Sequence, residues 1–319
     1  MGTARLLCGA LILLASACTA PPAPEPPVVR TGDPYARGYT DADFPRIQQL
    51  AEGVYSYEQL RSAGDEKFTT VSLFVVTSEG VLVADGQGSV AETRRMLDEI
   101  ATITTQPVTH VVVCSDHGDH TAGNSAFPAA ATFHAHPTSK AVLEASASRP
   151  DRPADAPPVV VPTEVVEDTR VLTLGGMEIQ IRFLGRAHTG GDLTVYLPRE
   201  KILFMSEAYL NRIFPAMRSA YPTEWVAMIR RAQGIDVETF VPGHGFVDAP
   251  AVLAEELETY RRALEQVIAE ATRLHATGVP VEQAVEQATF GDLETWTLRR
   301  SQGATAVRRV YAERNGELR

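Results

Sequence analysis

Five short stretches collect the residue types that hold metal ions. They are Asp85-Gly86, Ser115-Asp116-His117-Gly118-Asp119-His120, Arg186-Ala187-His188-Thr189-Gly190, Ser206-Glu207 and Pro242-Gly243-His244-Gly245. Neutral imidazole suits zinc, and carboxylate oxygen suits zinc, iron or manganese. In the turn after Val113, His117 can serve one cation while Asp119 and His120 serve another. His188 and His244 stand in glycine-rich loops, where backbone can approach an ion closely. Glu207 can bridge two cations, and Asp85 can orient a ligand from behind. Taken singly, each of these is more often an ordinary polar turn. The conjunction, which uses four of the eight histidines, points to a metal centre. An ion held there makes hydroxide from water near neutral pH, for attack on a carbonyl or phosphoryl group. Asp119 is the candidate to hold that nucleophile and carry its proton.

The elements that must position these residues alternate between strand and helix. Val71–Val76, Val81–Asp85, Val108–Val113 and Thr132–Ala135 read as strands, as do Met177–Leu184, Leu193–Leu197, Lys201–Met205 and Thr239–Val241. Ser89 with Glu92 has capping-box spacing and opens a helix with Met96, Leu97 and Ile100 on its apolar side. Helices are expected from about Thr138, over 222–234 with Pro222 in the first turn, and over 251–277 up to Gly278 and Pro280. Each candidate ligand falls just after an expected strand, where α/β folds collect function. His134 and His136, two apart on a strand, share a face and are read as structural, like His110 and His275.

The 319 residues suffice for a large buried core, and 44% hydrophobic with 22% charged residues is ordinary globular composition. A net charge of −11 with no Lys/Arg run argues against nucleic acid as a partner. Met1–Ala17 has a cation at Arg5, an apolar run and small residues, as in a secretory signal. The small residues before Cys18 resemble a lipobox, so Cys18 is the candidate for lipidation and for anchoring at the outer membrane of an exported, periplasmic lipoprotein. Of three cysteines, only Cys114 then remains in the body, which excludes a disulfide framework. The expected organisation is a signal over 1–18, a Pro-rich linker over 19–45, a main domain over 46–250 and a helical segment over 251–319.

The motifs in this order resemble the metallo-β-lactamase superfamily, whose first motif is His-x-His-x-Asp-His, with a terminal His often in Pro-Gly-His. The resemblance spans roughly 50–250. It implies an αββα sandwich with the site along one sheet edge and a C-terminal helical extension beyond it. It further implies that His117 and His188 serve one zinc ion and Asp119, His120 and His244 another, with Glu207 in the bridging place usually held by Asp. Ser115 stands where the first motif has a His. One or two ions are thus expected, filling asymmetrically, with iron or manganese as alternatives to zinc. Asp116 and Cys114 point away from Ser115 if strand alternation continues. Asn211, Arg212, Arg218 and Tyr221 are candidates to line the cleft for a small-molecule substrate. The leading expectation is an exported metal-dependent hydrolase of an ester, lactam, thioester or phosphoester. The alternatives are a catalytically weakened binding or accessory protein on this fold, and a non-heme iron oxidoreductase.

Overall fold

The computed structural model describes residues 1–2 and 28–318. The signal-like stretch past Gly2, Cys18 and the first part of the expected linker, 19–27, lie outside the described residues. In order, the described chain forms β1 (Arg46–Ala51), β2 (Val54–Ala63), β3 (Glu66–Thr77), β4 (Gly80–Ala84), α1 (Val90–Ile103), β5 (Val108–Val113), α2 (Gly118–Thr121) and β6 (Thr132–Ala135). There follow α3 (Pro137–Ala147), β7 (Glu164–Val165), β8 (Thr169–Leu174), β9 (Met177–Phe183), β10 (Leu193–Leu197), β11 (Ile202–Leu210), α4 (Pro222–Gln233) and β12 (Thr239–His244). The chain ends in α5 (Pro250–Ala276), α6 (Val281–Gln287) and α7 (Arg299–Arg314).

Strands hydrogen-bond in the order β7-β6-β5-β4-β3-β12-β11-β10-β9-β8, with β2 and then β1 branching from β3. β3 is the pivot. Its second half pairs with β4, nearly all of it pairs with β2, and Thr70 meets His244 of β12. The two halves of this sheet face one another across a shared core. Leu82, Ala84 and Val112 from the first half pack in one cluster with Ile179, Ile181 and Val195 from the second. Their alternate neighbours Val81, Val83, Val111 and Val113 turn outward and pack with Met96 and Ile100 of α1 and Leu143 of α3. Both faces of β4 and β5 are thus covered, which is why they read as unbroken apolar runs. The parallel pairs β4–β5 and β11–β12 need crossovers, and α1 and α4 supply them. The result is an αββα sandwich.

Local chemistry sets the helix starts. The Ser89 hydroxyl accepts the Glu92 N–H at 3.1 Å, and Met96 and Ile100 follow at helical spacing. The C-terminal helices do not stand apart. Tyr260 and Leu264 of α5 and Val307 and Val310 of α7 share the main core with Trp225 of α4.

Two expectations need correction here. The stretch from Val28 to Pro45 is no free spacer: Arg37 pairs with both carboxylate oxygens of Asp248 at 2.7 and 3.0 Å, Arg30 reaches Glu256 at 2.9 Å, and Phe44 is buried. A bidentate, mostly buried pair orders a segment that the sequence grouped with the Pro-rich run before it. His134 and His136 do not share a strand face, because β6 ends at Ala135 and His136 caps α3. His134 instead meets His110 on the adjacent strand at 3.1 Å.

Candidate metal centre

Four imidazoles and two carboxylates converge where the two halves of the sheet meet. Asp119, His120, Glu207 and His244 form one cluster, and His117, His188 and Glu207 form another, each with its nearest ligand atoms within 4.8 Å of one another. Glu207 belongs to both. His188 Nε2 lies 3.0 Å from His117 Nδ1 and 3.2 Å from Glu207 Oε1. His244 Nε2 lies 3.3 Å from His120 Nε2, 3.2 Å from Asp119 Oδ2 and 3.3 Å from Glu207 Oε1. Ligand atoms about 2.0–2.1 Å from a shared tetrahedral centre stand roughly 3.3–3.4 Å apart, so this spacing fits a bound ion.

The second nitrogen of each of three rings is tied back. His244 Nδ1 sits 2.8 Å from the Thr69 carbonyl, which requires a proton there and leaves Nε2 as the ligand atom. His120 Nδ1 lies 3.1 Å from Asp85 Oδ2, so the carboxylate fixes that ring in the same tautomer. His117 is reversed: Nδ1 faces the cluster and Nε2 lies 3.2 Å from the Ser219 hydroxyl. The His188 loop is closed by Asp192, which accepts the Thr189 N–H at 2.6 Å and its hydroxyl at 2.9 Å. Trp225 packs edge-on against the His188 ring at 5.1 Å.

Asp85 and Ser206 carry the strain of the site. Both are buried with positive φ, 64° and 48°, and the Ser206 hydroxyl donates to Asp85 Oδ2. Asp85 Oδ1 accepts the Cys114 N–H at 2.7 Å, so one side chain holds the end of β5 and the His120 ring together. Ser206 marks a register shift in β11, which continues through Glu207 to Leu210. Glu207 is therefore on a strand and not in a loop after one, as the sequence suggested.

Charge in the cluster is balanced by protons. Burial opposes charge on His117, but the Glu207 carboxylate beside it prevails and raises its pKa to about 9. His244 is likewise buried, and Asp119 and Glu207 raise it to about 10. Glu207 itself would be pushed up by burial, yet His188, His117 and His120 hold it well below the usual carboxylate range. Burial drives His188 down, so that imidazole is the neutral one.

Ser115 joins the site without facing it as a ligand. Its hydroxyl donates to Glu207 Oε2 and accepts the His117 N–H at 3.3 Å. Cys114 packs in the core, and Asp116 faces a separate pocket beside Gly88 and Val142, so neither replaces the absent imidazole. Of the four cleft candidates only Arg218 lines the cleft. Asn211 is buried and donates to the Phe246 carbonyl at 2.8 Å, and Arg212 pairs with both oxygens of Glu256. Tyr221 backs the His188 loop: its N–H donates to the Ala187 carbonyl at 2.8 Å and its ring lies 4.0 Å from the Arg186 guanidinium. Sequence reasoning passed over Ser219, Thr69 and Asp192, and gave Ser206 no role of its own. Only Asp192 left a signal, as the acid closing Thr189-Gly190-Gly191-Asp192.

Residues 66–244, more than half the chain, match the family model described as the metallo-beta-lactamase superfamily, and the chain belongs to that superfamily. It is 26% identical over 179 residues to the 2,4-dinitroanisole O-demethylase subunit alpha of Nocardioides sp. (strain JS1661), covering 54% of this chain and 52% of that subunit, about half its length. It is 23% identical to the metallo-beta-lactamase type 2 of Bacillus sp. (strain 170), over 66% of this chain and 80% of the relative. The fold is similar to that of a metallo-beta-lactamase from Pontibacter korlensis, with a TM-score of 0.59 and 22% identity over 69% of this chain and 98% of the other. Family, fold and donor clusters together make this a divalent-metal site.

Proposed function

We propose that the protein is a hydrolase in which a metal centre, with zinc as its ion, activates water against an ester, lactam, thioester or phosphoester. The observation that carries this is the ligand spacing of 3.0–3.3 Å among imidazole nitrogens whose far nitrogens are largely tied back to the protein. Zinc held there supplies a Lewis acid and brings the pKa of water to around 7. Asp119 is the group that meets that water. Its side chain is 25% exposed, against 0% for His120, 5% for Glu207 and 6% for His244. Oδ2 faces His244, which leaves Oδ1 to orient the attacking water and take its proton. Ser115 makes the two metal positions unequal, so the Asp119, His120 and His244 position fills first.

The test is the metal content of purified protein together with turnover of a chromogenic ester, a phosphodiester and a cephalosporin, with and without chelator. Chelator-sensitive turnover is expected. A metal-free, inert protein would overturn the reading and leave a binding or accessory protein on this fold.

A second reading has one observation behind it. With Ser115 in place of an imidazole, His117, His188 and Glu207 are two histidines and one carboxylate, the donor set of non-heme iron sites. Iron in the isolated protein and oxygen consumption would favour it. For location, the proposal is export and lipidation at Cys18, supported by the charged, apolar and small residues of Met1–Ala17. Loss of fatty-acid labelling in Cys18→Ala is the expected result.

A further inference from the structure

The cleft over the metal ligands has a volume of about 280 Å³, room for a small organic molecule. Part of its wall comes from a segment of the chain outside the family match, which ends at residue 244. Leu298, Gln302 and Thr305, at the start of α7 and along its first turns, all line it. Two bonds fix that end of the helix. The Phe214 N–H donates to the Thr297 carbonyl at 2.9 Å, and the Leu298 N–H donates to Glu66 Oε1 at 2.8 Å. Further along, the Arg309 guanidinium donates to the carbonyls of Ser219 and Ala220. One helix therefore forms that part of the wall and also anchors the loop that carries Arg218 into the cleft.

Arg218 is exposed, and among the described residues it pairs with no carboxylate. Every other charged group lining the cleft belongs to the metal ligands. The remaining lining is largely apolar, with Phe68, Leu210, Ile213 and Leu298. An unpaired guanidinium beside an apolar floor matches a molecule with one carboxylate and a short hydrocarbon body.

We infer that α7 and Arg218 form the substrate selector of this site, and that it takes small organic monocarboxylates. Arg218 grips the carboxylate, Phe68, Ile213 and Leu298 receive the hydrocarbon, and the reacting bond lies toward Asp119. Arg309 is a positioning residue that acts through the 218–220 loop. Only the orientation toward Asp119 rests on the hydrolase reading; the selector is tested by binding alone.

The experiment titrates metal-loaded full-length protein with hexanoate, hexanol and hexylammonium by calorimetry. Hexanoate is expected to bind, and the other two to bind at least tenfold more weakly. Arg218→Gln should weaken hexanoate by roughly tenfold or more, the scale of a lost charged hydrogen bond, with partial rescue in Arg218→Lys. Gln302→Trp, which fills the cleft from α7, should abolish hexanoate binding while metal content and melting temperature stay near those of the parent. Arg309→Ala should weaken hexanoate without changing metal stoichiometry. Equal binding by Arg218→Gln would mean that the metal captures the carboxylate, and equal binding of hexanol would mean that charge is not read; either overturns the inference, as does unchanged binding in Gln302→Trp. Arg218-dependent hexanoate binding in a protein that hydrolyses nothing would sink the hydrolase reading and leave the selector standing.

Discussion

The Ser115 hydroxyl donates to Glu207 Oε2, the same oxygen that lies 3.0 Å from His117 Nδ1. A small residue and a long acid thus share the space that one imidazole and a shorter acid would otherwise divide. Restoring histidine at Ser115 alone places a ring against the Glu207 carboxylate in a fully buried position. Ser115→His should therefore destabilise by about 1–3 kcal/mol, the cost of overpacking, and gain no metal affinity. Ser115→His with Glu207→Asp should bind a second ion more tightly than the parent. Calorimetric stoichiometry and melting temperature check this, and a tight second site in the single variant would refute the coupling.

Asp119→Asn removes the proton-accepting oxygen but keeps the side-chain shape. Turnover should fall by roughly 10²- to 10⁴-fold, the contribution of a positioned base. Asp119 is itself a ligand of that cluster, so the amide should also weaken metal binding, by at least the roughly 10- to 100-fold of a lost supporting group, and the rates are compared at saturating metal. An unchanged rate would remove Asp119 from the chemistry.

Metal binding should release protons. In the metal-stripped protein His117 and His244 titrate near 9 and 10, so both are charged at pH 7.5, whereas a ligand imidazole must be neutral. Calorimetry in buffers of different ionisation enthalpy should report proton release from His244 as the first ion binds and from His117 only as the second position fills. Both pKa values lie above the unfolded value of about 6.5. The stability they contribute to the stripped protein is therefore complete below pH 6.5 and is lost as pH rises through 9 and 10. A melting temperature that climbs over that range would contradict this.

Asp85 holds the Cys114 N–H, the Ser206 hydroxyl and the His120 ring from a left-handed backbone position. Asp85→Ala leaves the buried Cys114 N–H unpaired, at about 1–3 kcal/mol. Asp85→Asn tolerates that backbone and keeps an oxygen for Cys114, so it should fold nearly as stably. It should still bind metal roughly 10- to 100-fold more weakly, because the charge behind His120 is gone. Chemical denaturation and metal titration of the two variants separate the roles.

Much of the fold was legible because both faces of the central strands are buried. Val81–Ala84 and Val108–Val113 read as apolar runs for that reason, and the Ser89 cap with Glu92 fixed the start of α1. β1, β2, β7 and β8 escaped notice. β1 and β8, Arg-Ile-Gln-Gln-Leu-Ala and Thr-Arg-Val-Leu-Thr-Leu, expose or half-expose most residues, β7 is only two residues long, and β2 buries polar Ser56, Glu58 and Gln59 among its apolar residues, so no strong hydrophobic pattern forms in any of them. β11 was cut short at Met205 because Ser206 and Glu207 look like a loop, while a register shift carries the strand through both.

Residue type and order alone determined that imidazoles and carboxylates are present in the motifs of a metal-holding superfamily, and that one imidazole is missing. Those are properties of the covalent chain. Tertiary structure decided which nitrogen of each ring faces the ion, because that depends on Thr69, Asp85 and Ser219, none of them adjacent in sequence to the ring it holds. It also decided that Asn211 and Arg212 turn away into hydrogen bonds with Phe246 and Glu256 while Arg218 stays in the cleft. Local sequence constrains backbone and spacing over a few residues, whereas the direction of a polar side chain is set by whatever partner the folded core brings within about 3 Å.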